Sequence, residues 1–360
     1  MKRLIKPNAL KKGDKIACVS LSSGLAGLFF ERYQRFKEFF EKAFELEVVE
    51  MPHTLDSFDD VYNSPKNRLD DLMNAFLCPE IKGILTTIGG DDTIRLLPLM
   101  QEKHFKIIRQ NPKVFLGMSD TTVNHFMCLK AGVSSFYSGS SLFGYGENNG
   151  LMPCMIENTK KSLFETRAIG VFPKSSEYII ERRCFQAENH ITRKRIATPK
   201  INFSGSKQKV RGRLIGGCFE VLNFINGTKL WPSLKEWENT ILFIETSEDK
   251  PAPVLLTYFL RNLAVQGILS KVKGILFGIP GGEFLPSEQK EQKAFIKTYP
   301  LYEEAILTVL KEFDVKIPVV SNLNFGHTVP QFILPYGALA EINPQNETVS
   351  ILESAVCSDF

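Results

Sequence analysis

The chain has 360 residues, 43% of them hydrophobic and 23% charged, which is enough apolar material for roughly two cores of ordinary size. Its 44 basic and 40 acidic side chains leave a formal charge of +4. No long single-sign run accompanies that excess, so the footprint of a nucleic-acid or membrane-surface binder is missing.

The lysine-rich start followed by IACVSLSSGLAGLFF imitates a signal peptide. Hydroxyls and glycines interrupt the run, and Gly13-Asp14-Lys15 separates it from the early lysines, so a strand at 16–21, a turn and a helix fit better. The pattern then predicts a helix over 31–44, a strand over 46–51, a helix over 66–76, a strand over 83–88 and a helix over 93–102. A short strand at 114–116, a helix over 121–131 and a strand at 134–137 follow. Such alternation implies βαβ units around a parallel sheet, with any site in loops at the carboxyl ends of the strands.

Residues 174–211 are polar and basic and read as a linker with an exposed loop or hairpin. Beyond them a helix is expected over 216–225, a strand over 241–244, a helix over 253–267 and a strand over 274–277. Mostly helical sequence over 288–313 and a strand at 319–320 come next. Two runs, 338–342 and 348–352, look like an antiparallel pair joined at 343–346. The expected division is 1–165, a linking segment 166–208, and 209–360.

Seven cysteines stand singly, with no CxxC pair, which argues against both a disulfide framework and a zinc site. No stretch is long enough to span a bilayer. These features point to a cytoplasmic protein with reduced thiols.

Three places could carry chemistry. In Lys-Val-Phe-Leu-Gly-Met-Ser-Asp-Thr-Thr (113–122) a buried strand runs into Gly117 and a helix follows Asp120. Ser119 therefore sits on a strand-to-helix turn like a nucleophile elbow, although Thr121 stands where that motif has glycine. A serine or aspartate that only caps the helix fits the same local pattern. In Ile-Leu-Thr-Thr-Ile-Gly-Gly-Asp-Asp-Thr (84–93) another strand ends in a glycine pair, whose backbone can approach an anion. The Gly90 amide could pair with that of Asp120 as an oxyanion hole, or the turn could be merely tight or cradle a phosphate. The strand at 241–244 ends on Glu245, and the 324–330 loop carries His327 beside Gly326. An acid and a histidine so placed can orient and act as a base. His53, His104 and His190 lack such settings, and His125 lies on a helical face roughly opposite to Ser119.

Taken together these segments resemble the LD-carboxypeptidase family of serine peptidases, particularly its microcin C self-immunity branch. The resemblance is carried by Ile-Gly-Gly-Asp-Asp-Thr (88–93), Gly-Met-Ser-Asp-Thr-Thr (117–122) and Gly-Arg-Leu-Ile-Gly-Gly (212–217). It continues in Phe-Ile-Glu-Thr-Ser-Glu (243–248), Gly-Ile-Leu-Phe-Gly (274–278) and Phe-Gly-His-Thr-Val-Pro (325–330). The resemblance implies an α/β protein with an N-terminal flavodoxin-like parallel-sheet domain and a C-terminal α/β domain of different topology. It further implies a Ser119–His327–Glu245 triad between the domains, a homodimer, and neither metal nor organic cofactor.

The sequence departs from the family pattern at Leu21 (usually proline), Cys218 (commonly asparagine) and Cys78 (commonly aspartate). Immunity-type members also stack a tryptophan of the inter-domain loop on adenine. Residues 170–208 hold no tryptophan, only the aromatics Phe172, Tyr178, Phe185 and Phe203. The expected substrate is a small peptide, such as a murein tetrapeptide in peptidoglycan recycling, or an aminoacyl nucleotide. A non-catalytic protein holding an anionic ligand and an α/β-hydrolase-fold esterase are the alternatives from other classes.

Overall fold

The computed structural model describes residues 3–148 and 150–358. The first half builds β1 (Lys15–Val19), β2 (Glu47–Glu50), β3 (Ile81–Thr86), β4 (Val114–Gly117) and β5 (Phe136–Tyr137). These pair in parallel in the order β2-β1-β3-β4-β5, the flavodoxin-like arrangement. Strands of such a sheet are covered on both faces, and four of the five residues of β1 are accordingly buried. Helices Phe30–Phe44 and Pro65–Leu77 cover it, each laying one apolar face on the sheet.

The second half supplies β6 (Gly170–Val171), β7 (Glu177–Tyr178), β8 (Ile196–Ala197), β9 (Asn202–Gly205), β10 (Val210–Cys218), β11 (Thr240–Glu245), β12 (Val272–Gly278) and β13 (Pro318–Leu323). It ends with β14 (Leu334–Pro335), β15 (Leu339–Asn343) and β16 (Thr348–Ile351). Eight of these form a mixed sheet, β6-β16-β15-β10-β11-β12-β13-β9, with a parallel centre from β10 to β13 and antiparallel flanks. Its topology differs from that of the first sheet, and 338–352 forms the expected antiparallel pair β15–β16. One crossover ties the halves together: β14 pairs antiparallel with β5 at the edge of the first sheet. Apolar side chains of both sheets merge into one continuous cluster.

Several segments differ from the sequence expectation, each for a local reason. The run 216–225 is helical only from Phe219; Gly216 and Gly217 still belong to β10, paired with Phe243 and Ile244 of β11. The stretch 93–102 is a 3₁₀ segment, Thr93–Leu99, because Pro98 interrupts α-helical bonding; the α-helix starts at Glu102. The 288–313 stretch splits into Gln289–Ile296 and Tyr299–Glu312, with Pro300 in the first turn of the second. The segment 166–208 is more than a linker, since β6 and β9 form the two edges of the second sheet.

Helix Thr122–Ala131 sits between the halves, touching helix Phe219–Ile225 of the second. Eight of its ten residues are buried, which explains why it shows almost no polar face. Among the described residues no helix is long and apolar enough to cross a membrane.

Candidate active site

The carboxyl ends of both parallel arrays open onto one cavity of about 530 Å³. From the first sheet it is lined by Ser23, Gly89, Gly90 and Ser119, and from the second by Glu248 and His327. His327 is the only one of the five histidines there.

Ser119 lies two residues past β4 with φ +59°, a conformation that costs a residue with a side chain on the order of 1–2 kcal/mol. Such strain on a strand-to-helix turn is the mechanical mark of a nucleophile elbow. The absent second glycine is explained locally: the Thr121 hydroxyl donates 2.6 Å back to the Met118 carbonyl, so a side chain fits at that position. Gly89 is required where it stands, since a Cβ there would lie 2.8 Å from Ser119 Cβ and 3.0 Å from Oγ.

Asp120 is fully buried and fixes the surrounding loops. Its Oδ2 accepts the Ser22 hydroxyl at 2.5 Å and the amides of Asp92 and Thr93 at 3.0 and 2.7 Å. One carboxylate thus joins the loops that follow β1, β3 and β4. Behind it, Arg68 pairs with Asp92 at 2.8 Å and donates to the carbonyls of Leu21 and Ser22.

Glu245 ends β11 with no exposed surface. Its Oε2 accepts His327 Nδ1 at 2.6 Å and the His327 amide at 3.2 Å. Since a carboxylate has only acceptors, this bond puts a proton on Nδ1 and leaves Nε2 as the atom available to a substrate. Gly326, at φ +91°, permits the approach, because a Cβ would stand 2.5 Å from that same oxygen.

His327 Nε2 lies 3.3 Å from Glu248 Oε2, and no Ser119–His327 hydrogen bond forms in this arrangement. Burial lowers the His327 pKa, but the charge and hydrogen bond of Glu245, then Glu248 and Glu220, outweigh it and raise the value to about 10. His125 is the opposite case. Burial takes it down to about 3, so it stays neutral, with Nε2–H donating to the Gly117 carbonyl and Nδ1 accepting from Ser135. It supports the β4 end and does not reach the cavity.

Gly90 lines the same cavity as Ser119, beside Ser22 and Ser23, and Asp120 follows Ser119 in the chain; no hydrogen bond outside the helices and strands uses either amide among the described residues. The Ser119 amide, by contrast, donates to the Tyr137 hydroxyl at 3.1 Å. Over the cavity lies the loop carrying Phe185, whose ring meets Phe29 edge-on at 5.4 Å and has the Arg32 guanidinium 3.9 Å above it. Among the described residues no group of three or more His, Cys, Asp and Glu side chains is placed to hold a metal ion. Tyr137, Glu248 and Arg32 are site elements that the sequence pattern did not single out.

Ser119 stands on the first sheet while Glu245 and His327 stand on the second. An α/β-hydrolase, in which one sheet carries all three, is therefore excluded.

The LD-carboxypeptidase N-terminal domain matches residues 16–138, and the LD-carboxypeptidase C-terminal domain matches residues 211–342. The microcin C7 self-immunity protein MccF of Escherichia coli is 29% identical over 97% of this chain and 96% of its own length. A solved MccF-like protein from Streptococcus pneumoniae, in complex with AMP, is 30% identical with a TM-score of 0.82, covering 94% of this chain and 98% of that one. The microcin C7 self immunity protein MccF in complex with aspartyl sulfamoyl adenosine is 25% identical with a TM-score of 0.79, covering 98% and 100%. Both halves of the family match in order, on a fold shared along nearly the whole length, and this chain belongs to the LD-carboxypeptidase family of serine peptidases.

Proposed function

We propose that this chain hydrolyses an amide bond through Ser119 as nucleophile, His327 as general base and Glu245 as the group orienting the imidazole. The observation that carries this is the 2.6 Å Glu245–His327 pair facing the same cavity as a serine held at positive φ. Ser119 Oγ attacks the carbonyl carbon and passes its proton to His327 Nε2, while the Gly90 and Asp120 amides hold the oxyanion. His327 then protonates the departing amine, and water releases the acyl group by the same steps in reverse order. Hydrogen bonds of this kind are commonly long in unliganded enzymes and tighten with substrate, which accommodates the open Ser119–His327 geometry.

For the substrate we favour an amide-linked analogue of an aminoacyl nucleotide. Solved relatives bind AMP and aspartyl sulfamoyl adenosine, and the cavity wall here carries Phe185, an aromatic residue of the kind that packs on a base. A cytoplasmic homodimer fits the same reading. All seven cysteines are free thiols, and helix Pro253–Val265 presents Val254, Leu255, Tyr258 and Val265 to the outside as an apolar face.

A serine-directed fluorophosphonate, followed by mass spectrometry, tests the nucleophile. We expect one adduct, on Ser119, and a kcat loss of about 10⁴-fold or more in Ser119→Ala. No adduct on Ser119, with turnover unchanged in the variant, would leave a non-catalytic anion-binding protein as the better account. Assaying a murein tetrapeptide beside an aminoacyl sulfamoyl adenosine decides the substrate; turnover of the tetrapeptide alone would overturn the nucleotide assignment.

A further inference from the structure

Tyr137 lies at the end of β5, completely buried, with its ring against Phe243 and His125. Its hydroxyl donates to Glu245 Oε1 at 2.5 Å and accepts the Ser119 amide at 3.1 Å. One oxygen atom therefore touches both the turn that carries the nucleophile and the carboxylate that holds the histidine. These two groups come from different sheets, so the contact also crosses between the halves of the molecule.

We infer that Tyr137 is a positioning residue for the reaction, setting the nucleophile turn and the Glu245 carboxylate relative to one another; this rests on the Ser119–His327–Glu245 reading above. The chemistry of the hydroxyl suits the task. It has one proton and can accept as well, so it serves a donor and an acceptor at once. Its proton occupies Oε1, which leaves Oε2 for His327 Nδ1 and fixes the rotation of the carboxylate about its own axis. By accepting from the Ser119 amide it gives a buried donor a partner in a turn whose φ is unfavourable. It also removes that amide from the set able to hold an oxyanion, leaving the task to neighbours. Burial, followed by the Glu245 charge, pushes the phenol well above its ordinary pKa, so the proton stays on Tyr137 throughout.

Tyr137→Phe keeps the ring and deletes only the shared oxygen. We expect kcat on an aminoacyl sulfamoyl adenosine to fall by about 10- to 100-fold, the factor carried by a hydrogen bond to a charged group. KM should stay within about twofold, because no substrate contact is lost. Fluorophosphonate labelling of Ser119, scored per folded molecule so that partial unfolding does not imitate the effect, should slow by a similar factor. Adding Tyr137→Phe to Glu245→Gln should cost less than it does in the wild-type background, since the hydroxyl acts through that carboxylate. A fully additive double variant, or a Tyr137→Phe enzyme with wild-type kcat and labelling rate, would overturn the inference. If Ser119→Ala and Glu245→Gln themselves kept full activity, the triad reading would fall instead, so the two failures are distinguishable.

Discussion

Glu248 Oε2 sits 3.3 Å from His327 Nε2, the ring atom that accepts the Ser119 proton under the proposed function. With Glu245 on Nδ1 and Glu248 on Nε2, the imidazole lies between two carboxylates, with Glu220 and Glu283 further out. These carboxylates raise its pKa to about 10, which favours a proton on each nitrogen at neutral pH in the free protein, and a doubly protonated ring is no base.

The sign of the resulting pH dependence follows. Under the proposed function the rate requires neutral His327, so kcat/KM should rise with pH through the alkaline range and level off only above the His327 pKa. Glu248→Gln removes one of the charges stabilising the imidazolium, so the rising limb should move to lower pH and kcat/KM at pH 7 should increase. Glu248 is about half exposed and its field is screened by water, so the shift should be smaller at high salt. A pH–rate series on both proteins at two ionic strengths checks this. A limb that does not move on substitution would show that Glu248 does not act on the base.

Gly89 gives a steric prediction. A methyl group there would press on Ser119 Cβ and Oγ at 2.8 and 3.0 Å, displacing the hydroxyl from its place at the cavity. Gly89→Ala should cost about 100-fold or more in kcat/KM, because displacements of around 1 Å in reacting groups have that effect. Overpacking should lower stability by about 1–3 kcal/mol. Thermal unfolding beside steady-state kinetics separates the two; normal activity in a folded Gly89→Ala protein would mean that Ser119 is free to move away.

How much of this was legible in the sequence depended on the range of the interaction. Periodicity found the parallel strands at 16–21 and 83–88 and the helix at 31–44, because burial on both faces or one face writes itself into consecutive residues. The strand-to-helix turn at Ser119 and the strand-end position of Glu245 were visible for the same reason. Gly216–Gly217 read as the start of a helix because nothing local shows that Phe243 and Ile244 will pair beside them. The edge strands β6 and β9 are only two and four residues long, and only their partners β16 and β13 make them strands. Tyr137 and Glu248 are ordinary residues in their own segments. Their importance comes from contacts across 108 and 79 positions of chain, which single-sequence spacing does not encode.

The loop over the cavity supplies a further prediction, because it is held by buried charge. Arg193, with Glu147, forms a pair in which both side chains are about 95% buried, Nε donating to Oε1 at 2.8 Å. Arg193 also donates to the Glu181 carbonyl, and Asn148 donates to the carbonyls of Glu188 and Ile191 at 2.8 Å. Arg32 reaches Asn148 and Asn189 while lying on the Phe185 ring; burial, then the neighbouring Arg193 charge, lowers its pKa to about 9. Glu147→Gln would leave the buried Arg193 guanidinium without its carboxylate partner and within reach of the Arg32 charge. Breaking such a pair typically costs about 3–5 kcal/mol. That loss is local to the loop, since the contacts that place Ser119, Glu245 and His327 run through Tyr137 and Asp120 instead. Under the proposed function, KM for an aminoacyl sulfamoyl adenosine should therefore rise about tenfold or more while fluorophosphonate labelling of Ser119 changes little. Hydrogen exchange should accelerate in residues 184–191 ahead of the two sheets. If KM held steady while exchange in the loop accelerated, Phe185 and its loop would have no part in gripping the nucleotide.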